Sequence, residues 1–88
     1  MKYYVYILQC SDRTLYIGIT NDLEKRLNAH NTSKYGAQYT KTRRPVALAY
    51  SEPCKTRGDA LKREHALKQL TRKEKLKVID THRADLKD

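Results

Sequence analysis

The sequence predicts an α+β domain: a three-stranded antiparallel sheet flanked by helices, in the order β-β-α-β-α-α. Three observations predict it. Two apolar runs, Tyr3–Cys10 and Thr14–Thr20, face each other across the polar break Ser11-Asp12-Arg13, which is turn chemistry between strands. From Asn21 onward the apolar spacing lengthens from a strand period to a helix period. Only one further strand-like run follows, and two helix-start patterns come after it, so the chain lacks the alternation of βαβ units.

Each element has its own reason. Tyr3–Cys10 is apolar on both faces, which places it at the centre of the sheet. Thr14–Thr20 is rich in β-branched and aromatic residues, and the two runs form a hairpin. Asn21 is positioned to cap a helix over Asp22–His30, with Glu24 three residues on and Leu23 and Leu27 on one face. Residues 31–44 are polar and contain Gly36, which predicts a loop with a short turn. Pro45 opens a third strand, Val46–Ser51, and Pro53 closes it. Thr56 caps a helix over Arg57–Leu70. Thr71-Arg72-Lys73-Glu74 reads as a capping box, so a last helix starts at Arg72 and runs to about Thr81. The expected organisation is a single domain over residues 1–82 and a charged C-terminal tail over residues 83–88.

Composition narrows the class. The chain has 88 residues, 39% hydrophobic and 33% charged, which suits one small globular domain and excludes a disordered chain. No apolar run is long enough to cross a bilayer. The apolar stretch Tyr3–Leu8 follows a single lysine and precedes no small-residue cleavage site, so it reads as a strand and not as a signal peptide. A cytoplasmic monomer with no membrane partner is the expectation. Cys10 and Cys54 are too far apart and too poor in neighbouring histidine to suggest a metal site, and are expected to be buried free thiols. Nineteen Lys and Arg against ten Asp and Glu give a formal charge of +9 and a pI near 9.7. That balance favours a polyanionic partner, above all nucleic acid, without separating DNA from RNA.

A few residues carry chemistry beyond the fold. Glu64 is in helical line with Ala60, Leu61 and Leu67, so its carboxylate points toward the sheet and requires a cation. An Arg or Lys is the simpler partner; a divalent metal with oxygen ligands is the other. Arg26 and His30 are four apart and share the face of Leu23 and Leu27. A guanidinium holds phosphate through a planar fork, and an imidazole moves protons near neutral pH. Tyr6 and Tyr16 place phenols where Phe or Val would serve a core equally well; a phenol can take or give a proton beside a cation. Register decides whether the two share a site. A three-residue loop, Ser11-Asp12-Arg13, opposes Leu8 to Tyr16 and Tyr6 to Gly18, and puts both phenols on one face. That loop is the expectation, with Gly18 leaving room for a phosphate and with Arg26 and Glu64 received on the same face.

Taken together, Tyr4-Val5-Tyr6, a gap of nine residues, Tyr16-Ile17-Gly18, then Arg26, His30 and Glu64 resemble the GIY-YIG nuclease superfamily, in particular its small stand-alone bacterial members. Here Tyr4 stands where the first motif begins with Gly. Several active members carry an Asn after the metal-binding Glu, whereas Asn21, Asn28 and Asn31 all precede Glu64. The resemblance implies a GIY-YIG-like fold and hydrolysis of phosphodiester bonds in nucleic acid, DNA by expectation and RNA by extension. It implies one Mg²⁺ or Mn²⁺, weakly bound without substrate, on Glu64. Tyr16 would take the proton of the attacking water, Tyr6 would orient that water, His30 would assist, and Arg26 would bind the phosphate. Lys41, Arg43, Arg44, Lys62, Arg63 and Lys68 would follow the nucleic-acid backbone. The alternative is a nucleic-acid-binding module with weak or no turnover on the same basic face.

Overall fold

A computed structural model describes residues 2–32 and 36–86, with side chains described as far as residue 82. The elements are β1 (Tyr3–Gln9), β2 (Leu15–Thr20), α1 (Leu23–Thr32), α2 (Gln38–Lys41), β3 (Ala47–Cys54), α3 (Arg57–Lys68) and α4 (Arg72–Leu86). The expected order is present, with the four-residue α2 added inside the polar stretch. The three strands form one antiparallel sheet in the order β2-β1-β3. β1 is therefore central, which is why it is apolar on both sides.

The hairpin closes as the loop count requires. Cys10 N donates to Thr14 O at 2.9 Å and Arg13 N to Cys10 O at 2.9 Å. Arg13 has φ 69°, the left-handed residue that completes a three-residue loop with a bulge. The register follows: Tyr6 lies opposite Gly18 and Leu8 opposite Tyr16. β3 pairs with β1 on the other side, with a register shift between Ile7 and Leu8 that leaves Ala49 as the extra residue. Pro53 lies within β3 opposite Tyr4 rather than after the strand; an edge strand has an outward side where no N–H is needed.

The caps differ from the expected set at one point. Asp22, not Asn21, caps α1: its Oδ1 accepts from Lys25 N at 3.1 Å. Thr56 Oγ1 accepts from Asp59 N at 3.1 Å and caps α3. The capping box of α4 is complete, with Thr71 N on Glu74 Oε1 at 2.9 Å and Glu74 N on Thr71 Oγ1 at 3.2 Å. α4 continues to Leu86, past the expected fraying at Thr81.

Alternation along β1 splits the interior in two. Val5 and Ile7 pack with Ile17, Ala49, Leu67 of α3 and Ile79 of α4. Tyr6, Leu8 and Cys10 pack with Val46, and with Tyr16, Leu23 and Leu27. α1 thus covers the tyrosine face, whereas α3 and α4 cover the opposite one. Arg26 lies on α1, over the tyrosine face, whereas Glu64 lies on α3, whose buried residues Ala60 and Leu67 pack elsewhere. Leu61 is 38% exposed, so the buried stripe of α3 is Ala60 and Leu67, narrower than the sequence pattern suggested. Cys10 is buried and Cys54 half-buried, both as free thiols.

Candidate active site

The hairpin register aims Tyr6 and Tyr16 from neighbouring strands at α1. Tyr6 is 2% exposed and its ring lies over Gly18. A Cβ at Gly18 would come within 2.5 Å of the Tyr6 hydroxyl and 2.8 Å of Cζ. The space that glycine leaves is therefore filled by the phenol, not held open for a phosphate.

His30 closes the site from the last turn of α1. Its Nε2 and the Tyr6 hydroxyl share a hydrogen bond of 2.8 Å. Its Nδ1 and Thr40 Oγ1 share one of 3.0 Å, and Thr40 Oγ1 donates to Ala37 O at 2.9 Å. His30 and Thr40 are both fully buried. His30, expected to move protons beside the tyrosines, is thus an interior group hydrogen-bonded to Tyr6 and Thr40. Burial, then the charges of Arg26 and Arg44, push its pKa down from 6.5 to about 4, so the ring is neutral at neutral pH.

Arg26, one turn before His30, gives Tyr6 a second partner. Burial raises the Tyr6 pKa, the hydrogen bond and charge of Arg26 oppose that rise, and Tyr16 and Glu64 add to it. Glu64 is carried by the helix of the opposite face, yet its charge is felt at Tyr6. Its side chain is 19% exposed and lies 3.4 Å from Lys68 Nζ, one turn on. The lysine partner considered from the sequence is therefore present, on a side chain that is 53% exposed.

Tyr16 is half-buried and held between aromatic rings. It meets His30 edge-on with centroids 5.2 Å apart, and stacks on Tyr39 at 5.9 Å. The Arg43 guanidinium covers Tyr39 at 3.9 Å and pairs with Asp12 at 3.1 Å. The hydroxyl and amide of Thr14 hold the Asp12 carboxyl below its ordinary pKa. The hairpin turn is thereby tied to the segment after α1.

The basic residues divide. Arg43 Nη1 donates to Tyr39 O at 2.9 Å. Arg44 Nε donates to His30 O at 2.6 Å, finishing the C-terminal end of α1. Arg63 Nε donates to Glu52 Oε2 at 2.7 Å. These three arginines have partners inside the fold, which sequence charge does not reveal. Lys62 and Lys68 are exposed and Lys41 is half-buried. Sequence reasoning also missed Tyr39 and Thr40; no periodicity marks either, because their partners lie far along the chain.

The chain is similar to known proteins. The family model described as the GIY-YIG catalytic domain matches residues 2–77. A UPF0213 protein of Syntrophus aciditrophicus is 55% identical over 78 residues, 89% of this chain and 90% of that protein. A UPF0213 protein of Staphylococcus haemolyticus is 48% identical over 79 residues, 90% of this chain and 95% of that protein. The solution NMR structure of a UPF0213 protein from Bacillus halodurans matches with a TM-score of 0.60 at 34% identity, covering 92% of this chain and 85% of that one. A solution NMR structure of an E. faecalis protein matches with a TM-score of 0.65 at 42% identity, covering 96% and 88%. With its paired tyrosines, Arg26, His30 and Glu64 set on the hairpin and helices described above, the chain belongs to the GIY-YIG catalytic domain family.

Proposed function

We propose that this protein is a metal-dependent endonuclease that hydrolyses phosphodiester bonds in nucleic acid, with DNA as its substrate. One observation carries the reading: the hairpin register brings Tyr6 and Tyr16 to one face, where Arg26 and His30 meet them.

The donor set fits the metal that the family implies. Among the described residues no three His, Cys, Asp or Glu side chains group together. A single carboxylate suits Mg²⁺ or Mn²⁺, which keeps water and takes phosphate oxygens. Glu64 would hold it, at the expense of its contact with the exposed Lys68. Bound there, the metal would supply charge stabilisation for the leaving oxygen.

The remaining roles belong to the chain's own groups. Tyr16, half-buried where Tyr6 is closed off, takes the proton of the attacking water. Tyr6 fixes the position of Arg26 through its oxygen. Arg26 holds the phosphate and offsets charge developing on its oxygens. His30 orients Tyr6. Lys41, Lys62 and Lys68 contact the backbone without reading sequence.

The contact of Lys68 with Glu64 favours a second reading, a nucleic-acid-binding module without turnover, in which the lysine permanently takes the metal's place. The two separate in a cleavage assay with Mg²⁺ and Mn²⁺ across duplex, nicked, branched and single-stranded DNA and RNA. The nuclease reading expects metal-dependent cleavage that falls at least about 100-fold in Glu64→Gln, with nucleic-acid affinity retained. Salt-sensitive binding without cleavage of any substrate would overturn it in favour of the binding module.

A further inference from the structure

The two tyrosines and His30 leave one buried residue without a role. Thr40 is fully buried, on the four-residue α2, in a stretch where the sequence predicted only loop and turn. Its hydroxyl touches two groups, His30 Nδ1 at 3.0 Å and Ala37 O at 2.9 Å.

Proton counting fixes the direction of this chain from both ends. At one end, Tyr6 is 2% exposed, so its hydroxyl proton needs a protein acceptor. Of the two partners described for it, Arg26 has only donors, which leaves His30 Nε2 at 2.8 Å. A neutral imidazole that accepts at Nε2 must donate at Nδ1. At the other end, Thr40 Oγ1 has one proton and a carbonyl, Ala37 O, to give it to. The hydroxyl oxygen is then the acceptor that Nδ1–H requires. All three buried protons are satisfied in this arrangement. The opposite tautomer strands the Tyr6 proton, which costs about 1–3 kcal/mol for a buried donor.

We infer that Thr40 is a positioning residue that locks His30 as the Nδ1–H tautomer, so that Tyr6 donates inward to His30 and presents oxygen lone pairs to Arg26. Hydrogen bonds then run one way, from Tyr6 through His30 and Thr40 to Ala37. Arg26 is thereby held by an acceptor whose own proton is turned away. A hydroxyl with fixed polarity does this, and a Val of the same shape does not.

The tautomer is measurable without activity. Long-range ¹H–¹⁵N spectra of imidazole-labelled protein at neutral pH are expected to show a protonated Nδ1 and an unprotonated Nε2 for His30. Thr40→Ser keeps that pattern, whereas Thr40→Val removes the Nδ1–H acceptor while the Tyr6 proton still requires Nε2, and is expected to give a mixture of the two tautomers. A protonated Nε2 in the wild type would overturn the inference even if Thr40→Val failed to fold. An unchanged tautomer in a folded Thr40→Val protein would also overturn it. The kinetic arm rests on the nuclease reading: Thr40→Val is expected to lower kcat about 10- to 100-fold with KM unchanged, as for other residues that orient a histidine, and Thr40→Ser to restore it. Unchanged kcat in folded Thr40→Val would overturn the positioning role. A wild type with the Nδ1–H tautomer and no cleavage would overturn the nuclease reading alone.

Discussion

The two faces of the sheet are built on opposite principles. The face under α3 and α4 is aliphatic: Val5, Ile7, Ile17, Leu67 and Ile79 bury side chains without a polar atom among them. The face under α1 and α2 buries Tyr6, His30 and Thr40 in one line of hydrogen bonds. Non-directional packing tolerates adjustment, but a buried polar line holds only if each member meets its partner. The first face makes the domain stable; the second fixes where a few atoms stand. The same strand, β1, supplies both by alternation.

The sharpest way to break this division is Leu67→Ala. Deleting a fully buried leucine leaves a cavity and is expected to cost about 2–5 kcal/mol of stability. Urea unfolding should show that loss while the His30 ring signals stay unchanged. A shifted His30 signal in the folded variant would mean the faces are not separate.

The polar face should betray itself through pH. His30 titrates at about 4 in the fold against about 6.5 in an unfolded chain. The unfolded state therefore binds the proton first as pH falls. Stability from the neutral ring is full above about 6.5 and is lost progressively toward 4. Between pH 7 and pH 5 the loss should be about 2 kcal/mol by urea midpoint, and His30→Gln should remove the difference. The aliphatic face contributes nothing to it, so equal wild-type stability at both pH values would contradict a neutral buried His30.

Gly18→Ala probes the seam between the strands. The added Cβ would meet the Tyr6 hydroxyl at 2.5 Å, and a ring that is 2% exposed has little room to retreat. A stability loss of about 1–2 kcal/mol is expected from overpacking. The site should suffer more than the fold, with a weakened Tyr6–His30 hydrogen bond seen as a shifted His30 ring signal. An unshifted signal would show that Tyr6 yields without disturbing its partner.

Much of this was legible in the sequence, and the reasons for the rest are physical. The register could be counted, because three turn residues between two apolar runs leave one pairing that unites Tyr6 with Tyr16. Thr71 and Glu74 named their own helix start, because a capping box is local. Arg26 and His30 could be placed on one face because helix spacing is regular. The faces themselves could not be assigned. Strand alternation gives two sides but does not say which helix covers which, and Leu61 blurred the stripe of α3. Thr40 and Tyr39 were invisible because their partners, His30 and Tyr16, lie across irregular chain. Arg43 and Arg44 read as surface charge because composition does not distinguish a guanidinium facing solvent from one bonded to a carbonyl. Gly18 was correctly seen as a gap, but its occupant was misjudged.

The central place of β1 has a kinetic consequence. Its amides and carbonyls are paired toward β2 on one side and β3 on the other, so they are shielded from solvent deuterium by both edges at once. Backbone groups so placed exchange through opening of the whole domain, while edge strands and helix ends exchange through smaller fluctuations. Tyr6 sits at the middle of that strand. The Tyr6 amide should therefore rank among the slowest to label, and the residue at the heart of the site should keep its place until the domain itself comes apart.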